Sequence, residues 1–532
     1  MGEERQHWNS RVGFVMAAVG SAVGLGNVWR FPGVCTANGG GAFLIPFFTA
    51  IIVLGIPLLI LEFGLGHMML SAAPRSLAKT RRNAEWVGWL AVLNALVITI
   101  YYVVIMAWCC NYFVFSFIPS APEAVEGMKV ATSAPPMWGT NPGQFFNTDF
   151  LQKTQGLTPL GGLQLGIVAG LAFTWLCIFL IIYKGVGVVG KVVLWTVPLP
   201  VILLAVLFFN EIRHPEAIDG IRHYLTPNFD ALTKPEVWRA AFGQVFFSLT
   251  LGFGVMIAYA SYLRKKSDVS NNALITAMAD SGTSFFAGFV VFSTIGYLAS
   301  AHGVKVAELV KSDALQKIIP TGAFGLVFTT YPDAIGRLGA LAPVFGAVFF
   351  LMLLLLGIDS AFSLVEGAAS ALVEKTRFSH AKITAFLCVL GFALGLVYCT
   401  QAGYNWVIWT DHICNDIGLP LVMLLQCIVV GWLFGAHKLL AHINEDSEIQ
   451  IGRWWTFMIR VVCPLTIGFI FVTTTVQDIR DLAGKGWDKW GPYIGQWGLL
   501  LGLIVISIIL MLVGRRGGPE AGEVPGPEEV TP

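Results

Sequence analysis

The stretch AVGSAVGLGNVWRFP, residues 18–32, lies in a long apolar run yet places Gly20, Gly24 and Gly26 within seven positions and follows them with Asn27 and Arg30. Glycine inside a helix costs about 1 kcal/mol relative to alanine, and a charge at membrane depth costs more. A helix so weakened needs a reason. One reason is local unwinding. Freed backbone carbonyls can ligate a cation, while half-helix N-termini offer partial positive charge to an anion. Irregular backbone survives at membrane depth only where it lines such a site. The competing reading is that the glycines merely let helices approach closely.

Composition identifies the solvent. The chain of 532 residues is 56% hydrophobic and 12% charged, whereas soluble domains carry roughly 25% charge. This is an integral membrane protein. A net charge of +1 leaves no electrostatic footprint for nucleic acid. Of the nine cysteines, none forms a CxxC pair or a Cys/His ligand spacing, so they read as small packing residues. No cleavable signal peptide is evident. Residues 1–10 form a polar N-terminal segment. Residues 515–532 are acidic and Pro/Gly-rich, a tail expected to be disordered.

Apolar runs near 12–36, 41–69, 87–118, 162–183, 190–209, 238–262, 271–300, 337–372, 380–400, 406–436, 454–476 and 493–513 are each about the length of a membrane-spanning helix. About twelve transmembrane helices are therefore expected, in an all-α transporter domain over 11–514. Helices 1–5 fall at about 11–209, helices 6–10 at about 238–437, and helices 11–12 at about 453–514. Basic clusters choose the sides. Arg75, Lys79, Arg81 and Arg82 follow the second run, Arg264, Lys265 and Lys266 the sixth, Lys375, Arg377 and Lys382 the eighth, and Arg515 and Arg516 the last. These loops and both termini are expected to be cytoplasmic. The longer loops 119–160, 210–236 and 301–335 are then external. Within the third of these, TGAFGLVFTTYPDAIG (321–336) is apolar enough to dip back as a lid.

The opening stretch has a counterpart. GQVFFSLTLGFG, residues 243–254, interrupts the sixth run with Gly252 and Gly254 just after Ser248 and Thr250. Paired broken helices at matching places in two five-helix halves point to an inverted-repeat transporter, and two breaks in register favour a binding site over close packing. Two carboxylates support this. Asp280 and Asp359 lie inside apolar runs with no Lys or Arg in the central part of either. Each costs about 2.5–3.5 kcal/mol at a bilayer centre and needs a partner. A hard cation held by carboxylate, hydroxyl and carbonyl oxygens suits them, and Ser360 beside Asp359 adds one such oxygen. A protonated residue or proton relay is the alternative. Glu62 and Glu366, also in apolar runs, read as hydrogen-bond acceptors that brace helices.

The segments RQHWNSRVGFVMAAVGSAVGLGNVWRFPGVCTANGGGAFLIPF, GQVFFSLTLGFG and GIDSAF resemble the neurotransmitter:sodium symporter family, including its bacterial leucine transporter, over roughly 5–515. The resemblance implies the leucine-transporter-like fold, an inverted five-plus-five repeat with helices 1 and 6 unwound midway, and Na+-coupled uptake by alternating access. It implies a first Na+ site at Ala22, Asn27, Ser248 and Asp280, completed by the substrate's carboxylate. A second is implied at Gly20, Val23, Leu356, Asp359 and Ser360. The substrate pocket maps to Ser21, Ala22, Gly26, Ile98, Tyr102, Phe247, Ser248, Thr250, Phe253, Ser360 and Leu364, with Tyr102 and Phe247 closing over the ligand. Arg30 and Asp411 match the outer gate. Arg5, Trp8, Tyr262 and Glu374 match the inner gate, where the family usually has aspartate in place of Glu374.

Departures from the family carry information. Gly24 stands where monoamine carriers place an aspartate, which favours a substrate bringing its own carboxylate, an amino acid. The family often has asparagine at position 280, and its chloride-dependent members have tyrosine where this chain has Phe47, although Gln244, Ser248 and Ser284 remain. An ionised Asp280 supplies the negative charge that chloride otherwise brings, so chloride is not expected. The mapped pocket offers no Lys, Arg, Asp or Glu to a substrate side chain, and a charged one would be desolvated without a partner. Its bulky apolar residues favour a neutral aliphatic amino acid. Loop 119–160 has no cysteine pair and no N-x-[ST] sequon, which points to a prokaryotic plasma (inner) membrane. Expected partners are Na+, a small-molecule amino acid and the lipid bilayer, and the sequence carries no signal of oligomeric state. With no Walker sequence and no nucleophile–base pair, an enzyme is not expected. The rivals are a proton-coupled carrier of the same fold and a ligand-binding sensor or channel.

Overall fold

The computed structural model describes residues 7–120, 136–301, 303, 305–306, 323–376, 378–483 and 490–513. Arg5, most of the N-terminal segment and the 515–532 tail lie outside them. Among the described residues there is no strand, only three isolated bridges. Among the described residues ten helices are long and apolar enough to cross a membrane: Gly41–Met69, Arg82–Phe115, Leu165–Ile182, Val186–Glu211, Val269–Ser300, Gly339–Lys375, His380–Cys399, Gly403–Asp446, Trp454–Asp481 and Gly491–Leu512. These are spans 2–5 and 7–12.

Spans 1 and 6 differ from the rest, as the glycines predict. Span 1 is Arg11–Ala22 followed by Gly26–Ala37, bent by 45°. Its first half starts at Ser10, whose side chain accepts from the Gly13 amide at 3.0 Å, and stops at Val23, where the backbone turns extended (φ −76°, ψ 96°). Span 6 is Pro235–Ser248 and Val255–Ala260. Neither piece crosses a membrane alone, since 14 residues reach only about 21 Å. The twelve sequence runs thus resolve into ten unbroken helices, one bent pair and one split helix. In the split, Gly252 and Gly254 take positive φ (+82° and +74°) and so does Thr250 (+54°). A β-branched residue rarely adopts that region, and the strain, of order 1–3 kcal/mol, is held by the Thr250 hydroxyl donating to the Ser21 carbonyl at 2.8 Å.

Prolines shape several of the helices. Wide π-type turns at Gly26–Arg30, Ile51–Gly55, Leu326–Thr330, His412–Gly418 and Met458–Val462 each end two residues before a proline, at Pro32, Pro57, Pro332, Pro420 and Pro464. Proline has no N–H to offer, and its ring collides with the carbonyl four residues back. Widening the preceding turn relieves that collision without breaking the helix.

Span 3 is central and packs chiefly on span 8. In its most apolar window 83% of the residues are buried, against 22% in spans 11 and 12, which are peripheral and turn apolar faces outward. The lid expected at 321–336 is described from Ala323 onward. Short helices Ala323–Gly325 and Tyr331–Gly336 flank a wide turn, with Phe324, Phe328 and Tyr331 buried. Phe324 packs edge-on against Trp29 (4.3 Å between ring centroids) and Trp108 (5.8 Å). Trp138 donates its indole N–H to the Pro332 carbonyl at 2.9 Å.

Candidate substrate and cation sites

The two breaks face one another across a cavity of about 30 Å3 lined by Ser21, Ala22, Gly24, Gly26, Asn27, Ile98, Tyr102, Phe247, Ser248, Thr250, Phe253, Ser360 and Leu364. All eleven pocket residues expected from the sequence are on its wall, with Gly24 and Asn27 in addition. By the same measure a water needs about 10–15 Å3, so the cavity is small. Its size depends on the glycines. A Cβ on Gly24 would collide with the Ser360 hydroxyl and lie 3.1 Å from that of Tyr102, and one on Gly26 would lie 2.5 Å from the Phe247 ring. The Tyr102 hydroxyl accepts from the Leu25 amide at 3.2 Å, an N–H freed by the break.

Two clusters of oxygen atoms adjoin the cavity. In the first, the Asn27 amide nitrogen sits 2.6 Å from Asp280 Oδ1, 2.8 Å from Ser284 Oγ, 3.2 Å from Ser248 Oγ and 3.2 Å from the Asp280 carbonyl. Ser248 Oγ lies 2.8 Å from both Asp280 carboxylate oxygens. Asn27 Oδ1 accepts from the Gly24 amide at 2.8 Å. Asn27, Ser248 and Asp280, which the resemblance puts at one Na+ site, therefore lie together, with the amide hydrogens of Asn27 turned toward Asp280, Ser248 and Ser284. A cation taking Asn27 through Oδ1 requires that amide to turn over. Phe47 is buried against Phe31 and Phe43 and brings no hydroxyl to this cluster.

The second cluster lies where span 1 meets span 8. Asp359 is 2% exposed, and its Oδ1 has no hydrogen-bond partner. Ser360 Oγ is 3.4 Å from the Gly20 carbonyl and 3.2 Å from that of Ser21. A Cβ on Gly20 would stand 3.2 Å from Asp359 Oδ2, so glycine there lets the backbone approach the carboxylate. Val23 is the extended residue at the break, and Leu356 lies just under one turn before Asp359 on span 8. A buried acceptor without a donor is costly. A bare cation coordinated by carboxylate, hydroxyl and carbonyl oxygens would satisfy it, and the residues present fit one.

Above the cavity, away from Trp8, the Arg30 guanidinium stacks over the Phe247 ring at 4.6 Å. The expected pairing of Arg30 with Asp411 is corrected here: the ion pair is with Asp416, at 3.4 Å. Asp411 is held instead by the Tyr101 hydroxyl at 2.9 Å and the Asn415 amide at 2.5 Å. Below the cavity Trp8 donates its indole N–H to the Tyr259 carbonyl at 2.9 Å, and its backbone N–H reaches the Tyr262 carbonyl at 3.2 Å. The Tyr262 hydroxyl meets Ser370 at 2.8 Å and Glu366 at 3.4 Å. Glu374 Oε1 accepts from the Ala72 amide at 3.0 Å. Its expected contact with Arg5 falls outside the described residues.

Glu62 braces a break. Its Oε1 accepts from the Gly252 amide at 3.3 Å, one of the N–H groups that the split in span 6 leaves without a helical partner. Glu366 likewise accepts from Ser370 and pairs with His380 at 2.8 Å. Sequence reasoning missed Asp416, His412 and Asp478, which gather beside Arg30. The one available signal was the His412–Asp416 spacing of four.

A family profile described as the sodium:neurotransmitter symporter family matches residues 5–515. The chain is 38% identical, over 95% of its own length and 97% of the other's, to an uncharacterized sodium-dependent transporter of Methanocaldococcus jannaschii. It is 31% identical to the sodium- and chloride-dependent taurine transporter of Rattus norvegicus, over 97% of this chain and 86% of that one. Identity is also 31% to the sodium- and chloride-dependent GABA transporter 2 of Macaca fascicularis, over 97% and 87%.

Proposed function

Because the chain belongs to the sodium:neurotransmitter symporter family and is thus a sodium-dependent transporter rather than an enzyme, we propose that it imports a neutral, small to medium amino acid with Na+ at two sites and without chloride. The observation that carries the reading is the unpartnered Asp359 oxygen beside Gly20, one turn before the break in span 1. In this reading Na+ at Gly20, Val23, Leu356, Asp359 and Ser360 ties span 1 to span 8. Another Na+ at Ala22, Asn27, Ser248 and Asp280 ties span 1 to spans 6 and 7. The substrate carboxylate completes the Asp280 site and takes a hydrogen bond from Tyr102. Arg30 and Phe247 close above it. Loss of Na+ from the Asp359 site into a sodium-poor cytoplasm frees the first half of span 1 to swing and releases the contacts of Trp8.

Three features support the substrate class. No Lys, Arg, Asp or Glu lines the cavity. A side chain at position 24 has no room, so no carboxylate can reach a substrate amine from there. Taurine and GABA, named for the relatives, are small zwitterions that also bring their own anionic group. Chloride independence rests on Asp280, whose carboxylate sits among Asn27, Ser248 and Ser284. Opposite unit charges about 4 Å apart attract by about 4 kcal/mol at an effective dielectric constant of 20, enough to replace a bound anion. The side of the membrane facing the cytoplasm is the Trp8 side, by the distribution of basic loops, in a prokaryotic plasma membrane.

The test is radiolabelled uptake into proteoliposomes with Na+, K+ or choline outside. The panel comprises the twenty amino acids together with taurine, GABA and creatine. Sodium-driven accumulation of a neutral amino acid, unchanged when gluconate replaces chloride, is expected, and Asp280→Asn should make uptake chloride-sensitive. Chloride-dependent uptake by the unaltered protein overturns the chloride assignment. Accumulation driven by a proton gradient with choline in place of Na+ selects the proton-coupled rival. Binding without accumulation selects a sensor.

A further inference from the structure

A second cavity, of about 330 Å3, opens between spans 1, 6, 10 and 11 beside Arg30. On its wall His412 stands between two carboxylates, with Nδ1 2.9 Å from Asp416 Oδ2 and Nε2 3.0 Å from Asp478 Oδ2. A neutral imidazole has one N–H and one bare lone pair. Here the bare nitrogen would face a carboxylate oxygen, acceptor against acceptor. Only the imidazolium donates to both. The remaining oxygen of Asp416, Oδ1, meets Arg30 at 3.4 Å. Charges thus alternate from Arg30 on span 1 through Asp416 and His412 on span 10 to Asp478 on span 11. The other charged groups lining or adjoining the cavity are Arg239 of span 6, hydrogen-bonded to Gln477 of span 11, Asp481 of span 11, and Asp411 of span 10, which Tyr101 and Asn415 hold.

We infer that His412 is a positioning residue of the gate: its imidazolium turns the Asp416 carboxylate so that Oδ1 holds Arg30 over Phe247, which makes Asp416 rather than Asp411 the partner of Arg30. Asp478 on the peripheral span 11 steadies the ring from its far side. Removing the ring proton turns one of the two short contacts repulsive, releases Asp416 and loosens Arg30 from above the substrate cavity. What the gate admits rests on the transport reading. The charge relay itself does not.

The experiment compares His412→Gln, which removes the charge, with His412→Arg, which keeps a cation and N–H groups on both sides. Full-length protein in proteoliposomes serves for both readouts. One is KM for sodium-driven uptake against pH. The other is the rate at which an impermeant maleimide labels a cysteine at Val34, which lines the same cavity, scored against protein lacking Val34→Cys. The Gln variant is expected to raise KM about fivefold or more, to speed labelling several-fold and to flatten the pH profile. The Arg variant is expected to hold KM and labelling at the neutral-pH wild-type values across the whole pH range, whereas the wild-type KM climbs under alkaline conditions. A Gln variant indistinguishable from wild type overturns the inference. So does an Arg variant as open as the Gln one, and so does an Arg variant that keeps the wild-type pH profile. Uptake that ignores Na+ would instead overturn the transport reading. Labelling at position 34 needs neither substrate nor gradient and decides the gate by itself.

Discussion

Asp359 carries one carboxylate oxygen with no donor in a buried setting, and asparagine in its place would keep the shape while removing the charge. Asp359→Asn is expected to lower sodium-driven uptake by about a hundredfold, since a lost charge–cation contact of about 2.7 kcal/mol corresponds to that factor. It should also shrink the rise in melting temperature that Na+ gives the purified protein over choline. A ligand present at about 100 times its Kd stabilises by about 2.7 kcal/mol, and differential scanning fluorimetry reads the difference. Gly24→Ala makes a second residue-scale test. Its Cβ meets the hydroxyls of Ser360 and Tyr102, so KM is expected to rise at least about tenfold while the protein still folds and binds lipid. Uptake kinetics beside size-exclusion profiles check both halves. The glycines of 18–32 were legible as a site because each one violated a local rule. The partner of Arg30 was not legible. Asp411 and Asp416 are five residues apart, about 140° around an ordinary α-helix, and the wide turn at His412–Gly418 changes which of them faces span 1.

Spans 1 and 6 show how an element can be weak by design and still hold. The split in span 6 leaves the Gly252 amide for Glu62, and the break in span 1 leaves the Leu25 amide for Tyr102. Glu62→Gln keeps an acceptor and is expected to be mild. Glu62→Ala strands a buried N–H and is expected to cost about 1–3 kcal/mol, seen as a lower melting temperature with uptake reduced in parallel. Equal stability of the two variants would show that Gly252 finds another acceptor. Hydropathy located both spans, because length and apolarity are local properties. It could not show that five wide turns each end two residues before a proline. That pattern arises from a steric collision between a ring and a carbonyl one turn away, which a window average does not register.

At the scale of the whole molecule, span 3 is the buried axis, packed chiefly on span 8, and spans 11 and 12 form the rim. The proposed cycle moves span 1 against a fixed frame, so crosslinking across the first half of span 1 should stop uptake while leaving Na+-dependent substrate binding intact. A cysteine pair replacing Gly13 and Gly190, where a Cβ on Gly13 would lie 3.8 Å from the Gly190 Cα and one on Gly190 4.0 Å from the Gly13 Cα, is the direct test, with reductant restoring flux. Loss of binding along with flux would show that the pair damages the site rather than the motion. The overall architecture was readable because twelve apolar runs and two glycine breaks leave few alternatives. The network linking spans 10 and 11 was not, because it depends on helices meeting side by side, far apart in the chain.

Phe324 lodges against Trp29 on one side and Trp108 on the other, joining the helical segment 323–336 to the second half of span 1 and to the central span 3. In the proposed cycle, solute passing this face has first to unseat that aromatic cork, so the segment is expected to govern tempo without touching cargo. A nanobody raised against it would act as a brake, slowing turnover at saturating solute and leaving affinity for the solute untouched.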